Sequence, residues 1–489
     1  MSKSSLRSKN WLVWLTFLLV ILILGGIFLY HYFLRRPNAQ LVETIPDNVE
    51  YIIQVNDNES LVKNINPILP SLNELLHLEA LQGLQFFIQQ FPKTHTEFII
   101  SAHTIGESTK LLMSCKNEER VFTNLLKHLK IDARNFTAYS DKKIYTHGTH
   151  YKKFYFTFQN GIFSVAEDIE LLKNCIDRLK SRNNLLSNED FAEIYMMIEK
   201  NPNQNWLVVN HKGYFQQAKK IINEGYYPIL STIEKNCSWS AFQMHIHNFE
   251  IMLSGYALMN SVAADNFIAQ TSQRGNMTKY LPGHISSYAI SYTPNQQQLI
   301  ENLSKNDFSK QYVDIVNALQ PLENCYFTIS KDTNQFSYLA FRCDTNLMDM
   351  TLLTNDSIED LDFRNFSIKG ANIGDFPILW SKNSTHLNYY IQYHDMILFS
   401  DSVLPLKSYI NAINSSSIET NPYYRYTQNT LPTHNSYELF ISRSSAEEWK
   451  SYFSESAQKG ELIQNLKIFS LTHTEMNGRL LSTNIFIKF

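Results

Sequence analysis

Few residues in this chain have both the type and the spacing for chemistry. Ser60-Leu-Val-Lys63 fits SxxK, in which a serine nucleophile lies one helical turn from a lysine. That chemistry also needs a separate KTG strand, and the nearest match is Lys93-Thr94-His95. The motif is therefore read as a chance match. His245 and His247 in "QMHIHNF" alternate on one strand face, so both imidazoles leave the same side. Two histidines can begin a metal site, but no third ligand stands nearby. They are read as a solvated strand face. His147 and His150 in "THGTHY" flank a turn, where polar residues cost nothing, and are read the same way. GxSxG, HExxH, the P-loop and GxGxxG are all missing from the sequence. No carboxylate pair can be assigned to glycoside chemistry from spacing alone. No catalytic residue, cofactor site or metal site is assigned.

Aromatic clusters are the remaining candidates. "GYYP" carries Tyr226 and Tyr227, and "NPYYRYTQN" carries Tyr423, Tyr424 and Tyr426. Tyrosine offers a large apolar face with a polar tip, suited to stacking on a sugar or a partner. The same residues also pack helices onto sheets. The five tyrosines are kept as ligand-contact candidates.

Five cysteines occur, Cys115, Cys175, Cys237, Cys325 and Cys343, with no CxxC pair. "CYFTISKDTNQFSYLAFRC" reads as strand, turn, strand. A three-residue loop Thr333 to Gln335 would set Asp332 against Phe336 and Cys325 against Cys343. That register allows a cross-strand disulfide in an oxidising compartment, and equally two buried thiols.

The elements that would position these residues follow from composition and pattern. The chain has 489 residues, 44% hydrophobic and 18% charged, which describes a folded protein with ample core. Net charge is −3 and no basic run occurs, which argues against a nucleic-acid partner. Trp11 to Leu34 is a stretch of 24 residues without Asp, Glu, Lys or Arg. As a helix it would extend about 36 Å, enough to cross a hydrocarbon core of roughly 30 Å. Trp11, Trp14, Tyr30 and Tyr32 sit at its ends as an aromatic belt would. Arg35 and Arg36 follow it instead of a small-residue cleavage site, so it reads as an uncleaved signal anchor. Lys3, Arg7 and Lys9 before it favour a cytoplasmic tail, 1–10, by a small margin. The bulk of the chain then lies outside the cytoplasm, on a single-pass anchor in the inner membrane.

"NGIFSVAEDIELLKNCIDRL" from Asn160 and "HDMILFSDSVLPLKSYINAI" from His394 share a polar and apolar pattern 234 positions apart, with Lys173 on Lys407. "TIPDNVEYIIQV" pairs with "YLPGHISSYAISY", "NWLVVN" with "YELFIS", and the run from Phe242 with that from Phe469, all in order. Order kept over so many matches points to an internal duplication. The expected domains are the anchor 11–34, repeat one 41–262, a linker 263–279 and repeat two 280–489. Asn160-Gly161 predicts a type I′ hairpin. Ile169, Leu172, Ile176 and Leu179 share one helical face behind an Asp168 cap. Ser402 takes that capping role in repeat two, with Pro405 in the first turn. Strands coming as hairpins predict an α+β fold: a single N-terminal transmembrane helix, then two tandem repeats of mostly antiparallel sheet with packed helices.

A basic tail, an apolar span and the strand opening "IPDNVEY" resemble, in that order, a group of uncharacterised bacterial signal-anchored proteins, catalogued as domains of unknown function. A passage like "GIFSVAEDIELLKNCIDRL" and a later "LLSNEDF" recur in them. The resemblance covers about the first 210 residues. It implies no functional residues, because the group has no assigned activity. The expectation is a membrane-tethered extracytoplasmic adaptor that binds an envelope protein or other envelope component. The alternative is a cell-envelope hydrolase with an unrecognised active site.

Overall fold

Asn160 and Gly161 take φ of 53° and 77°, the left-handed pair that a type I′ turn requires. They close a hairpin in which Gln159 faces Ile162, and hairpins of this kind build most of the molecule. The computed structural model describes residues 40–56, 97–106, 108–132, 134–148, 153–181, 184–261, 276–293, 325–332, 336–342, 353–377, 384–432, 435–443 and 452–489, with single positions such as Ile68, Ser71, Leu84 and Phe87 between them.

The strands of the first half are β1 (Val49–Val55), β2 (Phe98–Ile105), β3 (Ser108–Lys116), β4 (Thr137–Tyr139), β5 (Lys142–Gly148), β6 (Lys153–Gln159), β7 (Ile162–Ala166), β8 (Trp206–Asn210), β9 (Cys237–His247) and β10 (Glu250–Met259). Those of the second half are β11 (Ile285–Thr293), β12 (Cys325–Asp332), β13 (Ser337–Arg342), β14 (Leu361–Phe363), β15 (Phe366–Pro377), β16 (Ser384–Tyr393), β17 (Met396–Ser400), β18 (Tyr437–Ser442), β19 (Ile468–Asn477) and β20 (Leu480–Lys488). Every described pairing is antiparallel. One half runs β4-β5-β6-β7-β3-β2-β1-β8-β9-β10. It joins β20 through β10, and the path continues β20-β19-β18-β11-β12-β13-β17-β16-β15-β14. The two halves thus read the same from either end of the sheet. A bulge falls at Glu50 in β1 and at Ser286 in β11, four residues after Pro46 and Pro282.

Helices among the described residues are short. They are α1 (Glu119–His128), α2 (Ile169–Ser181), α3 (Glu189–Glu199), α4 (His211–Ile221), α5 (Tyr227–Asn236), α6 (Val403–Ile413), α7 (Pro422–Gln428), α8 (Glu455–Gln458) and α9 (Glu461–Asn465). Asp168 Oδ1 caps α2 by accepting from Glu170 N at 2.8 Å and Leu171 N at 3.0 Å. Leu171, Leu172, Cys175, Ile176 and Leu179 of α2 are buried, with Ile169 packed at the margin. Ser402 stands at the start of α6 but its side chain makes no capping bond, and Pro405 is buried in the first turn.

Cores lie on both faces of the sheet. In the first half α2, α3 and the 3₁₀ turn Leu41–Thr44 cover one face, around Ile52, Ile99 and Trp206. The other face buries Tyr51, Phe87, Phe122 and Phe156, and this core extends across to Leu439 and Ile441 of β18. In the second half α6 and α7 close a third core around Tyr288, Tyr338 and Tyr409. Burying an aromatic of this size contributes about 1.5–3 kcal/mol relative to leaving it in water.

The expected α+β class is overturned. The described chain is mostly antiparallel sheet with few helices, the longest being the 13 residues of α2. No described helix is long and apolar enough to cross a membrane, and the stretch 11–34 lies outside the described residues. The physical reason is strand length. Runs such as Cys237–His247, Phe366–Pro377 and Ile468–Asn477 continue as strands of ten residues or more, leaving short passages for helices.

Candidate functional site

The place where the two halves meet is built from both. β10 runs against β20 from Glu250 opposite Lys488 to Leu258 opposite Leu480. At the midpoint Ser254 faces Asn484, and the shift of 230 positions between them carries every residue of one strand onto its counterpart. The backbone obeys the same two-fold. Phe489 N–H donates to Phe249 O at 2.9 Å, and Met259 N–H donates to Arg479 O at 2.9 Å.

Side chains break this symmetry. At one end Arg479 bonds Asp190 of α3, stands 3.7 Å from Glu193, and donates through Nε to Met259 O at 3.0 Å. At the other end Lys488 Nζ pairs with Glu250 at 2.7 Å, and Tyr426 of α7 donates its hydroxyl to the same carboxylate. Lys488 Nζ also lies 3.8 Å from the Tyr426 ring centre, a cation–π contact. Burial presses the Glu250 carboxyl upward, but the hydrogen bonds from Lys488 and Tyr426 outweigh it and hold it below its usual range. Each half therefore sends a helix to the strand end of the other.

A cavity of about 310 Å³ opens beside the β9–β10 turn. Phe249, Phe489 and Ile68 supply apolar walls, and Arg443, Lys467 and Glu461 the charges. Asn248 and Phe249 occupy the two loop positions with φ of 46° and 66°. Bulky residues rarely hold that conformation, and an Asn-Gly pair is the usual solution. In the β19–β20 turn the positive φ falls on Gly478, and Arg479, the counterpart of Phe249, is relaxed. Phe249 is nevertheless 52% exposed. Arg443 N–H donates to Lys467 O at 2.8 Å, so the two cationic side chains leave from adjoining strand ends. Lys467 Nζ donates to Phe489 O at 2.9 Å.

A second, shallower cavity of about 390 Å³ is polar, lined by Asp47, Asn48, Asn174, Asp177 and Arg178. Behind it Asn48 Oδ1 meets His103 Nδ1 at 3.1 Å, and His103 Nε2 meets Ser101 Oγ at 2.8 Å. Amide, imidazole and hydroxyl in that order can activate a serine. Here they do not. Ser101 is 1% exposed and His103 not at all. Burial pushes the His103 imidazole down to about 3, a weak base at neutral pH. The chain instead satisfies buried polar atoms. The bulge at Glu50 has the same outcome. The carboxylate turns inward, accepts from the Thr104 hydroxyl and from Gln217 Nε2 at 3.3 Å, and is sealed from solvent.

The residues singled out from the sequence are scattered. Tyr424 is buried, 6.1 Å from the Tyr288 ring and 5.9 Å from the Phe440 ring. Tyr426 belongs to the Glu250 cluster, and Tyr423 is half-exposed beside it in sequence. Tyr227 opens α5, donates to Lys219 O at 2.9 Å and lies under Lys219 Nζ. Tyr226 closes the 3₁₀ turn Glu224–Tyr226. Among the described residues that line the cavity at the seam, Tyr227, Tyr423, Tyr424 and Tyr426 do not appear. His245 and His247 are exposed on β9, and among the described residues no group of three His, Cys, Asp or Glu could hold a metal. Ser60, Lys63, Lys93, His150 and Cys343 lie outside the described residues. Cys325 opens β12, whose pairing sets Phe327 against Phe341 and Lys331 against Ser337, the register implied by the three-residue loop. Sequence reasoning missed Phe249, Arg443 and Lys467. The one available signal was a phenylalanine at the hairpin position that the other half reaches through Asn477-Gly478.

No family model matches this chain, and no curated protein matches it. A solved structure, that of TP0453 in its crystal form IV, is similar at 9% identity over 45% of this chain and 80% of that one, with a TM-score of 0.27. A likeness this slight carries no argument.

Proposed function

We propose that this chain is a non-enzymatic binding protein, held at a membrane by its apolar stretch 11–34, that engages a component of the cell envelope through the cavity at the seam. The observation that carries the reading is the lining of that cavity. Aromatic side chains from both halves, Phe249 and Phe489, meet there with the cations Arg443 and Lys467 and one described carboxylate, Glu461. The polar cavity argues against the hydrolase alternative, because its one relay of amide, imidazole and hydroxyl is buried. The sequence adds the flanking charges at Arg35 and Arg36 and no catalytic motif.

The test is a capture experiment on the full chain in lipid nanodiscs, against a detergent-free envelope extract. The expected result is stoichiometric retention of one component, reduced in Phe249→Ala. Conversion of an envelope substrate without retention would establish the hydrolase instead, and retention unchanged in Phe249→Ala would move binding away from the seam.

A further inference from the structure

The proposal above leaves the chemistry of the ligand open, and the lining of the seam cavity narrows it. Lys467 has three N–H donors and uses one, on Phe489 O. Among the described residues the Arg443 guanidinium makes no hydrogen bond or ion pair, and Arg443 is exposed at the rim. Unused donors on adjoining cations are a ready seat for an anion. Among the described residues Arg443 and Lys467 are the cations that line the cavity and Glu461 is the carboxylate. A cavity of about 310 Å³ suits one anionic group on a compact body, not a polyphosphate.

Phe249 supplies the second half of the argument. Its φ of 66° strains a side chain that neither the turn nor the core demands. Its counterpart Arg479 is relaxed and held by Asp190, whereas the Phe249 ring is 52% exposed at the mouth of the cavity. Strain kept at an exposed aromatic points to a contact made by that ring. Phe489 and Ile68 are buried behind it.

We infer that the seam cavity binds an amphipathic anion: a compact apolar ring or short chain carrying a single carboxylate or phosphate group, with the anion on Arg443 and Lys467 and the apolar body between Phe249 and Phe489. At interior packing density 310 Å³ holds roughly a dozen heavy atoms. This inference rests on the binding-protein reading and specifies its ligand.

The test uses the full chain in phosphatidylcholine nanodiscs and 4-phenylbutyrate as the probe, with 4-phenylbutanol and inorganic phosphate as its separate halves. Calorimetry or saturation-transfer NMR should find the acid bound at least tenfold more tightly than the alcohol or phosphate. Phenyl phosphate in place of the carboxylate distinguishes the two anion classes. Arg443→Gln and Lys467→Gln should each weaken the acid about tenfold and leave the alcohol unchanged. Phe249→Gly should weaken the acid while leaving the melting temperature equal or higher, a combination that misfolding cannot produce. Equal binding of acid and alcohol would overturn the anion seat. Equal binding of phosphate alone would overturn the apolar body, and no binding of the acid would overturn both. Capture of an envelope component without phenylbutyrate binding would defeat this inference alone. Phenylbutyrate binding without capture would defeat the adaptor reading alone.

Discussion

Tyr426 offers a direct measure of how firmly the halves are joined. Its hydroxyl donates to Glu250, which also pairs with Lys488 at 2.7 Å. A hydrogen bond to a charged group contributes about 1.5–3 kcal/mol when buried. Tyr426 is 38% exposed, so solvent screens part of this, and about 1 kcal/mol is expected for Tyr426→Phe. The phenylalanine ring keeps the cation–π contact with Lys488, so the loss isolates the hydroxyl. In a Glu250→Gln background the same substitution should cost less than half as much, since the charge is gone. Urea unfolding of the four proteins in the cycle measures this coupling. The pH dependence has a definite sign. Glu250 is held below its usual carboxyl range in the folded state, so its contribution is present above the unfolded value and fades as pH falls through the folded one. The coupling should therefore be full at pH 7 and shrink below about pH 4. A coupling near zero at pH 7, or one that grows in acid, would refute the account of the seam.

Three other outcomes follow from single features. A Cβ on Gly255 would stand 2.0 Å from Ala241 O in the paired strand, so Gly255→Ala should cost about 2–3 kcal/mol in urea unfolding; a change within 0.5 kcal/mol, the ordinary surface range, would show that β9 and β10 are not packed as described. Lys173 Nζ lies 5.4 Å from the Tyr139 ring centre, and Lys407 Nζ lies 5.2 Å from that of Phe363, the same latch at the two outer edges of the sheet. Lys173→Met and Lys407→Met should each speed amide exchange several-fold at the neighbouring edge hairpin only, because about 0.5–1 kcal/mol is lost locally; acceleration in β1 instead would contradict a local role. Burial pushes His103 down to about 3 and His211 and His473 down to about 4, so the unfolded chain binds more protons below its ordinary histidine value. Stability should be full above about pH 6.5 and fall steadily towards pH 5, by an order of 1–2 kcal/mol per histidine, and a flat urea midpoint across that range would contradict this burial.

Short-range signals were the legible part of this fold. Asn160-Gly161 names its own turn, because both positions need positive φ. Asp168 and the spacing of Leu172, Ile176 and Leu179 name α2, because a cap and a 3.6-residue period are local properties. β1 and β7 are buried along their whole length and lack the alternation of a strand with one wet face, yet both were legible, β7 from the Asn160-Gly161 turn and β1 from the opening "IPDNVEY". The cavity at the seam stayed hidden. Phe249 lies nearly two hundred positions from Arg443 in sequence, and only the β10–β20 pairing brings them to one corner. The tyrosine clusters drew the eye by composition, yet Tyr424 spends its ring on the core beside Tyr288 and Phe440.

The self-matching of β10 with β20 reaches beyond one molecule. An edge that accepts its own counterpart cannot tell whether that counterpart belongs to the same chain. Selection then falls to proximity: the stretch from Asn260 to His284 keeps the partner strand at a high local concentration. Dilute refolding should form the β10–β20 junction within each chain. Refolding at concentrations that rival the tethered value should yield reciprocally exchanged dimers, each holding two copies of the same junction and two copies of the cavity beside it.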